Sequence, residues 1–137
     1  MKSRNASIFS ILYRLHIISP KGLFVWAKSL ISEGISLMAL LRFAAHFYPQ
    51  RCAIIDETQS LSYQELYIRT RQLAEFLHTE YHLQPEMSVA LLGRNSLILI
   101  LLLHALSRLG IRTTLLSTDL GTEQITVDLQ KHHYHLI

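Results

Sequence analysis

A strand, helix, strand order between residues 88 and 116 constrains the fold more than any other feature of this sequence. Residues 88–92 are apolar from Val89 onward, residues 97–106 contain nine apolar residues and His104, and residues 111–116 return as a second strand-like run. An uninterrupted apolar strand is typical of a parallel sheet that is covered on both faces. Parallel strands joined through a helix require a right-handed crossover. The order therefore predicts an α/β fold with a buried central helix.

The elements around this unit extend it in both directions. Before it, residues 52–56 and 60–62 predict a short hairpin. After it, residues 117–122 form a polar turn into a helix, and residues 134–137 begin a further strand. The sequence thus predicts a βαβαβ parallel-sheet unit within residues 51–137, an incomplete α/β domain. Asn95 or Ser96 is expected to cap the central helix, and Gly110 to end it in a left-handed conformation.

The best-marked helix begins after Ser62. Ser62 and Glu65 have the Ser-x-x-Glu spacing of a capping box, in which each side chain bonds the backbone amide of the other residue. Apolar and small residues then recur at three- and four-residue steps, which predicts one face packed on a core. That face consists of Leu66, Thr70, Leu73, Leu77 and Tyr81.

Residues 1–50 predict a helical, basic amino-terminal segment with too little polar surface to fold alone. An amphipathic helix over residues 6–18 is favoured over an export signal, because Arg14 and His16 interrupt its apolar run and no small-x-small cleavage pattern follows. Ser19 and Pro20 suit the start of a second helix. We expect that helix to end at Gly34, and a third, capped by Ser36, to stop before Pro49.

The charge of the chain is unevenly distributed. Residues 1–50 hold six Lys and Arg against one acidic residue, Glu33, whereas the remainder holds seven basic and nine acidic residues. A basic, apolar amino-terminal segment suits contact with an anionic membrane surface through residues 4–31. No nucleic-acid partner is expected, because the cations are spread out and no binding motif accompanies them.

Three apolar residues in this segment, Phe24, Trp26 and Leu30, leave two interpretations open. They could insert at a membrane interface with Lys21 and Lys28 at the head groups, or they could pack against the α/β domain. The single cysteine, Cys52, cannot form an internal disulfide. We expect it to be a small strand residue in a reducing compartment, so the predicted location is cytoplasmic with membrane-peripheral contact.

The hexapeptide at residues 61–66, Leu-Ser-Tyr-Gln-Glu-Leu, resembles the first core motif of the AMP-forming acyl-CoA synthetase, or adenylate-forming, superfamily. Three other segments occur in that family's order and spacing: residues 40–56, 89–96 and 106–110. The segment from Ser19 onward is similar to the fatty-acyl branch. The resemblance implies a complete protein that joins a fatty acid to ATP, releases pyrophosphate, and transfers the acyl group to coenzyme A with Mg present.

The resemblance also implies that this chain holds none of the catalytic groups. In the family, the phosphate loop, the ribose contacts and the catalytic lysine lie beyond the point matching Ile137. The five glycines of this sequence are isolated, and no Gly/Ser/Thr-rich loop precedes a lysine. We therefore predict no catalytic, cofactor-binding or metal-binding residue here, and no ATP, Mg or coenzyme A bound by the chain alone.

Several further residues have a chemical type found in functional sites, but simpler structural roles are favoured for them. Residues 117–122 could line a pocket at the end of a strand, but helix entry with Asp119 or Thr122 as cap is favoured. His132, His133 and His135 lack the further ligands of a zinc site. His104 is expected to be a neutral, hydrogen-bonded histidine. Tyr63 and Glu65 are explained by packing and capping.

Three hypotheses for the function follow. The favoured one is an inactive amino-terminal fragment of an AMP-forming fatty-acyl-CoA synthetase. The alternatives are a small peripheral membrane or partner-binding protein, and one half of a split synthetase whose remainder is a separate chain.

Overall fold

The computed structural model describes residues 8–57, 59–119, 121–131 and 134. Within these ranges the chain forms helices and strands in the predicted order. The helices are α1 (Ile8–Arg14), α2 (Pro20–Glu33), α3 (Leu37–Phe47), α4 (Tyr63–Glu80), α5 (Leu97–Arg108) and α6 (Thr122–Lys131). The strands are β1 (Cys52–Ile55), β2 (Ser60–Ser62), β3 (Ser88–Leu92) and β4 (Arg112–Leu116).

The predicted strand, helix, strand unit is present. β3 and β4 pair in parallel with Ser88 opposite Arg112 and Leu92 opposite Leu116, and α5 forms the crossover. Gly110 ends the α5 region with φ +71°, the left-handed conformation that favours glycine. A third strand is predicted at residues 134–137. Positions 135–137 lie outside the described residues, so the structure does not test this strand.

One face of this sheet is packed and the other is open. Val89 and Leu91 are buried against α4 and α5, in a core cluster with Ala74, Leu77, Leu83, Ala105, Leu106 and Ile111. Leu92 is exposed, and Ile98 on α5 is 67% exposed. The expectation of a strand covered on both faces was therefore wrong. The helix that was expected to be buried is buried at Leu97, Ala105 and Leu106 but exposed at Ile98. Within the described residues, no element covers the side of α5 that carries Ile98, so this apolar side chain is left exposed to solvent.

The hairpin and the capped helix follow the sequence closely. β1 and β2 pair antiparallel. The Glu65 amide donates to Ser62 Oγ at 3.2 Å, and the Ser62 amide donates to the Glu65 carboxylate at 2.9 Å, which completes the capping box. Leu66, Thr70 and Leu77 are buried as predicted, whereas Tyr81 lies at the exposed end of α4.

The capping box makes stability depend on pH in a defined direction. Bonds from the Ser62 backbone amide and hydroxyl hold the pKa of Glu65 below its usual value. A carboxyl whose folded pKa is depressed contributes stability above its unfolded pKa and loses that contribution as pH falls through the folded pKa.

We expect Ser62→Ala to lower the free energy of unfolding by about 1 kcal/mol at pH 7 and to reduce its acid dependence in part, because alanine loses the hydroxyl but keeps the amide that donates to Glu65. Urea titrations at pH 7 and at acidic pH measure both effects. Ser60→Ala, an exposed change on the same strand, is the control. Equal acid dependence in the Ser62 variant and the parent would contradict this account.

The amino-terminal helices form as predicted, with two differences. Ser19 caps α2 by accepting from the Gly22 amide at 2.9 Å, and Gly34 ends it with φ +68°. Ser36 occupies the cap position of α3, but its hydroxyl donates to the Glu33 carbonyl and so does not cap. The first helix ends at Arg14 rather than reaching residue 18, because the chain turns at His16, which has φ +61°.

The amino-terminal helices and the hairpin region share a second core. Met38 and Leu41 of α3 are buried with Leu61, Leu66 and Leu97. Trp26 of α2 stacks on Phe43 of α3 with ring centroids 4.7 Å apart. No helix within the described ranges is both long enough and apolar enough to cross a bilayer.

Candidate functional site

A cleft opens at the edge where β3 and β4 both end. Its walls are the turn at residues 93–95, the turn at residues 117–119, and Leu99, Leu115 and Leu116. The cleft has a volume of about 510 Å³. Open parallel sheets bind ligands at the carboxyl ends of their strands, so this is the position where a ligand of such a fold is expected.

Both turns are exposed and polar. Arg94 and Asp119 bring opposite charges to the cleft, and the Asp119 amide donates to Ser117 Oγ at 3.2 Å. Helix entry was the favoured interpretation of residues 117–122, and the turn does lead into α6. The predicted cap was wrong, however. The Ile125 amide donates to the Gly121 carbonyl at 3.1 Å, so Gly121 holds the cap position and Asp119 faces the cleft.

The amino-terminus of α5, beside the cleft, is already occupied by the chain's own acceptors. Ser96 accepts from the Leu99 amide at 3.3 Å, and Asp56 at the end of β1 accepts from the Leu97 amide at 3.2 Å. A helix amino-terminus binds phosphate through such free amides. Two of the amides at the start of α5, those of Leu97 and Leu99, are therefore already paired within the chain.

The other residues weighed from the sequence have structural roles where they are described. His104 is partly buried, with Nδ1 2.8 Å from the Ile100 carbonyl oxygen of its own helix. Tyr63 packs against the second core, and Glu65 belongs to the capping box. Cys52 is an exposed strand residue.

No zinc site is predicted at the three histidines near the end of the sequence. These residues, His132, His133 and His135, lie outside the described residues. Within the described ranges, no group of three or more His, Cys, Asp and Glu side chains is placed to hold a metal.

Sequence reasoning missed a buried ion cluster centred on Glu33. The Glu33 side chain is 3% exposed and pairs with Arg42 at 3.2 Å and with Arg108 on α5. Its Oε1 also accepts from the Tyr67 hydroxyl at 2.9 Å. The cluster joins α2, α3, α4 and α5. The signal in the sequence was that Glu33 is the one acidic residue among the first 50.

The sequence model of the AMP-binding enzyme family matches residues 41–134, which is more than half of the chain. The chain belongs to the AMP-binding enzyme family. The match begins in α3 and includes the hairpin, the capped helix, the parallel strands and both turns of the cleft. Adenylate-forming membership, inferred from residues 61–66 and the three accompanying segments, is thus confirmed.

Relatives within the AMP-binding enzyme family act on different acids. The chain is 36% identical over 81 residues to 2-succinylbenzoate–CoA ligase of Listeria innocua, covering 59% of this chain and 17% of that protein. The o-succinylbenzoate CoA synthetase of Bacillus subtilis, solved with its acyl-adenylate intermediate, is 28% identical with a TM-score of 0.61, over 69% of this chain and 24% of that one. A putative long-chain-fatty-acid CoA ligase of Rhodopseudomonas palustris is 23% identical with a TM-score of 0.65, over 69% and 24%.

Two consequences follow from these matches. The chain spans about a sixth to a quarter of the length of these relatives, so their activities describe proteins much longer than these 137 residues. The solved structures share this fold, which confirms a partial α/β subdomain of the adenylate-forming type. The similarity reaches succinylbenzoate and fatty-acid ligases alike, so it does not single out the fatty-acyl branch.

Proposed function

We propose that this chain supplies the amino-terminal scaffold of an AMP-forming acyl-CoA ligase and acts in a reducing, cytoplasmic compartment. The observation that carries the proposal is the family match over residues 41–134, which covers the parallel strand pair and its cleft. The overall reaction of the complete protein would convert a carboxylic acid, ATP and coenzyme A to acyl-CoA, AMP and pyrophosphate, with Mg.

In this proposal the chain positions a sheet edge and does not hold the nucleotide. The Leu97 and Leu99 amides at the start of α5 are paired internally, and no Gly/Ser/Thr-rich loop with a following lysine occurs in the sequence. The groups that bind the ATP phosphates therefore come from the remainder of the synthetase, which is the proposed partner of these residues.

We expect the purified 137 residues to show no ATP–pyrophosphate exchange with either palmitate or o-succinylbenzoate. Incorporation of labelled pyrophosphate into ATP is the measurement, with a complete ligase of the family as positive control. Exchange above the buffer level that needs a carboxylic acid would overturn the scaffold proposal.

A fatty acid is the substrate class that we favour for the complete protein. Support comes from the exposed apolar face of α2, where Leu23, Phe24 and Ile31 lie beside Lys21 and Lys28. Such a surface suits contact with the membrane in which fatty acids are dissolved. Acyl-CoA formation by the complete protein with palmitate, compared with o-succinylbenzoate, tests the class, and faster turnover of o-succinylbenzoate would contradict it.

The same face supports a second candidate function, peripheral membrane contact through residues 4–31. The three apolar residues considered for membrane insertion, Phe24, Trp26 and Leu30, differ in their surroundings. Trp26 packs on Phe43, whereas Phe24 is 71% exposed and Leu30 is also exposed. Phe24 and Leu30, rather than Trp26, are therefore the residues available to a lipid surface.

A further inference from the structure

A small cavity between α2 and α3 combines cationic and apolar walls. Its volume is about 250 Å³. It is lined by Lys21, Phe24, Val25, Lys28, Ser29, Arg42 and His46. None of these lining residues is acidic. Lys21 and Lys28 are seven residues apart, about two helical turns, so both project from the same side of α2. A cleft whose charged groups are all cationic concentrates an anion.

Ser29 gives this cavity an unused polar group. The residue is 1% exposed, and its Oγ has no hydrogen-bond partner in the described part of the chain. A buried hydroxyl left unpaired is unfavourable, and most buried polar groups in proteins have a partner. Because Ser29 lines the same cavity as Lys21 and Lys28, an anion bound there would supply the missing acceptor.

The balance of charge indicates which anion fits. Arg42 is already paired with Glu33, which also pairs with Arg108. Lys21 and Lys28 make no ion pair with any described residue, so they bring two uncompensated positive charges. Two charges match a phosphomonoester, which carries nearly two negative charges at neutral pH, better than they match a single carboxylate.

An exposed aromatic side chain also lines the cavity. Phe24 lies on its wall and is 71% exposed. A free phosphate would gain nothing from this ring, whereas the acyl chains attached to a lipid head group would cover it.

We propose that this cavity binds the phosphomonoester head group of an anionic membrane lipid. Lys21 and Lys28 neutralise the phosphate, the Ser29 hydroxyl donates to one of its oxygens, and Phe24 enters the adjoining acyl region. The inference rests on the proposed membrane contact of residues 4–31, to which it adds one discrete site and one head-group chemistry.

Vesicle flotation of the 137-residue chain tests the site. The vesicles are phosphatidylcholine alone, phosphatidylcholine with phosphatidylserine, and phosphatidylcholine with phosphatidic acid, the two anionic kinds matched in surface charge. We expect about tenfold tighter binding to the phosphatidic acid vesicles, the effect of a charge-assisted hydrogen bond. Ser29→Ala keeps the charge of the protein and is expected to abolish that ratio without weakening binding to phosphatidylserine.

Arg14→Gln is the matched control for non-specific electrostatic attraction to an anionic membrane. Arg14 is an exposed cation of the same basic segment that does not line the cavity. Its removal is expected to weaken binding to both anionic vesicles by about fivefold, since each cation near the surface contributes about 1 kcal/mol, and to leave their ratio unchanged. Circular dichroism of both variants checks that the total helix content is unchanged.

Two results would overturn the site while membrane contact stands: equal binding to both anionic vesicles, or a ratio that Ser29→Ala does not change. Binding to none of the vesicles would overturn both proposals. A separate NMR titration with glycerol 3-phosphate examines the cavity without lipid, with glycerol as control. Saturable shifts at the Ser29 and His46 amides are expected, and such shifts without any vesicle binding would refute a lipid source.

Discussion

Glu33→Gln is expected to lower the free energy of unfolding by about 3 kcal/mol. The change leaves Arg42 and Arg108 without the carboxylate that balances them, and breaking a buried ion pair by removing one partner costs about 3–5 kcal/mol. The lower end applies because the two arginine side chains are 26% and 28% exposed, which lets water screen part of their charge.

Urea unfolding followed by far-ultraviolet circular dichroism measures this loss. Glu75→Gln, an exposed change on α4, is the control and should lie within about 0.5 kcal/mol of the parent. A cycle with Arg108→Gln isolates the pair, because the double variant should lose less than the summed single variants. Unchanged stability in Glu33→Gln would show that the cluster has no structural role.

Leu106→Ala is expected to cost about 2–5 kcal/mol of unfolding free energy. Leu106 is 0% exposed and belongs to the core that joins α4, α5 and the parallel strands. Its truncation removes apolar contacts and leaves a cavity. Because α4, the rest of α5 and the parallel strands all border this site, they cannot easily collapse to fill the cavity.

The same helix supplies the control for this core substitution. Ile98→Ala removes an aliphatic side chain that is 67% exposed, so its effect should remain within about 0.5 kcal/mol. The two variants differ in burial and not in secondary structure. Equal losses would mean that the buried side of α5 has been assigned to the wrong face.

The parts of the fold that the sequence predicts are those encoded by neighbouring residues. The capping box requires only Ser62 and Glu65 at a fixed spacing, and the termination at Gly110 requires only a residue that adopts positive φ. The Ser36 cap failed for a local reason as well, because the hydroxyl of a cap residue can donate backward to a carbonyl, here that of Glu33.

Burial was harder to predict because it depends on what surrounds an element. The apolar composition of α5 predicts burial in some assembly, but periodicity does not reveal which neighbours are present. Leu106 and Ile98 are equally apolar in the sequence, yet one faces α4 and the sheet while the other faces solvent. The difference follows from the packing of α4, which is a tertiary property.

The candidate sites show the same limit. Residues 117–119 could be placed at a strand end from the sequence, because strand ends follow from strand positions. The Glu33 cluster and the cationic cavity could not be predicted from the sequence, because each forms only when α2 packs beside α3. Ser29, Arg42 and His46 become neighbours only through that packing. Only the position of Lys21 and Lys28 on one side of α2 follows from the sequence, because their spacing is about two helical turns.

The shared carboxylate of Glu33 also limits how this sequence can change over evolutionary time. One acidic side chain serves residues at positions 42, 67 and 108, so loss of the acid harms all of them at once. Loss of both Arg42 and Arg108 becomes tolerable only after, or together with, a change at position 33, because it would leave the buried carboxylate unpaired. Homologues are therefore expected to exchange these positions as a set, and single exchanges among them should be rare.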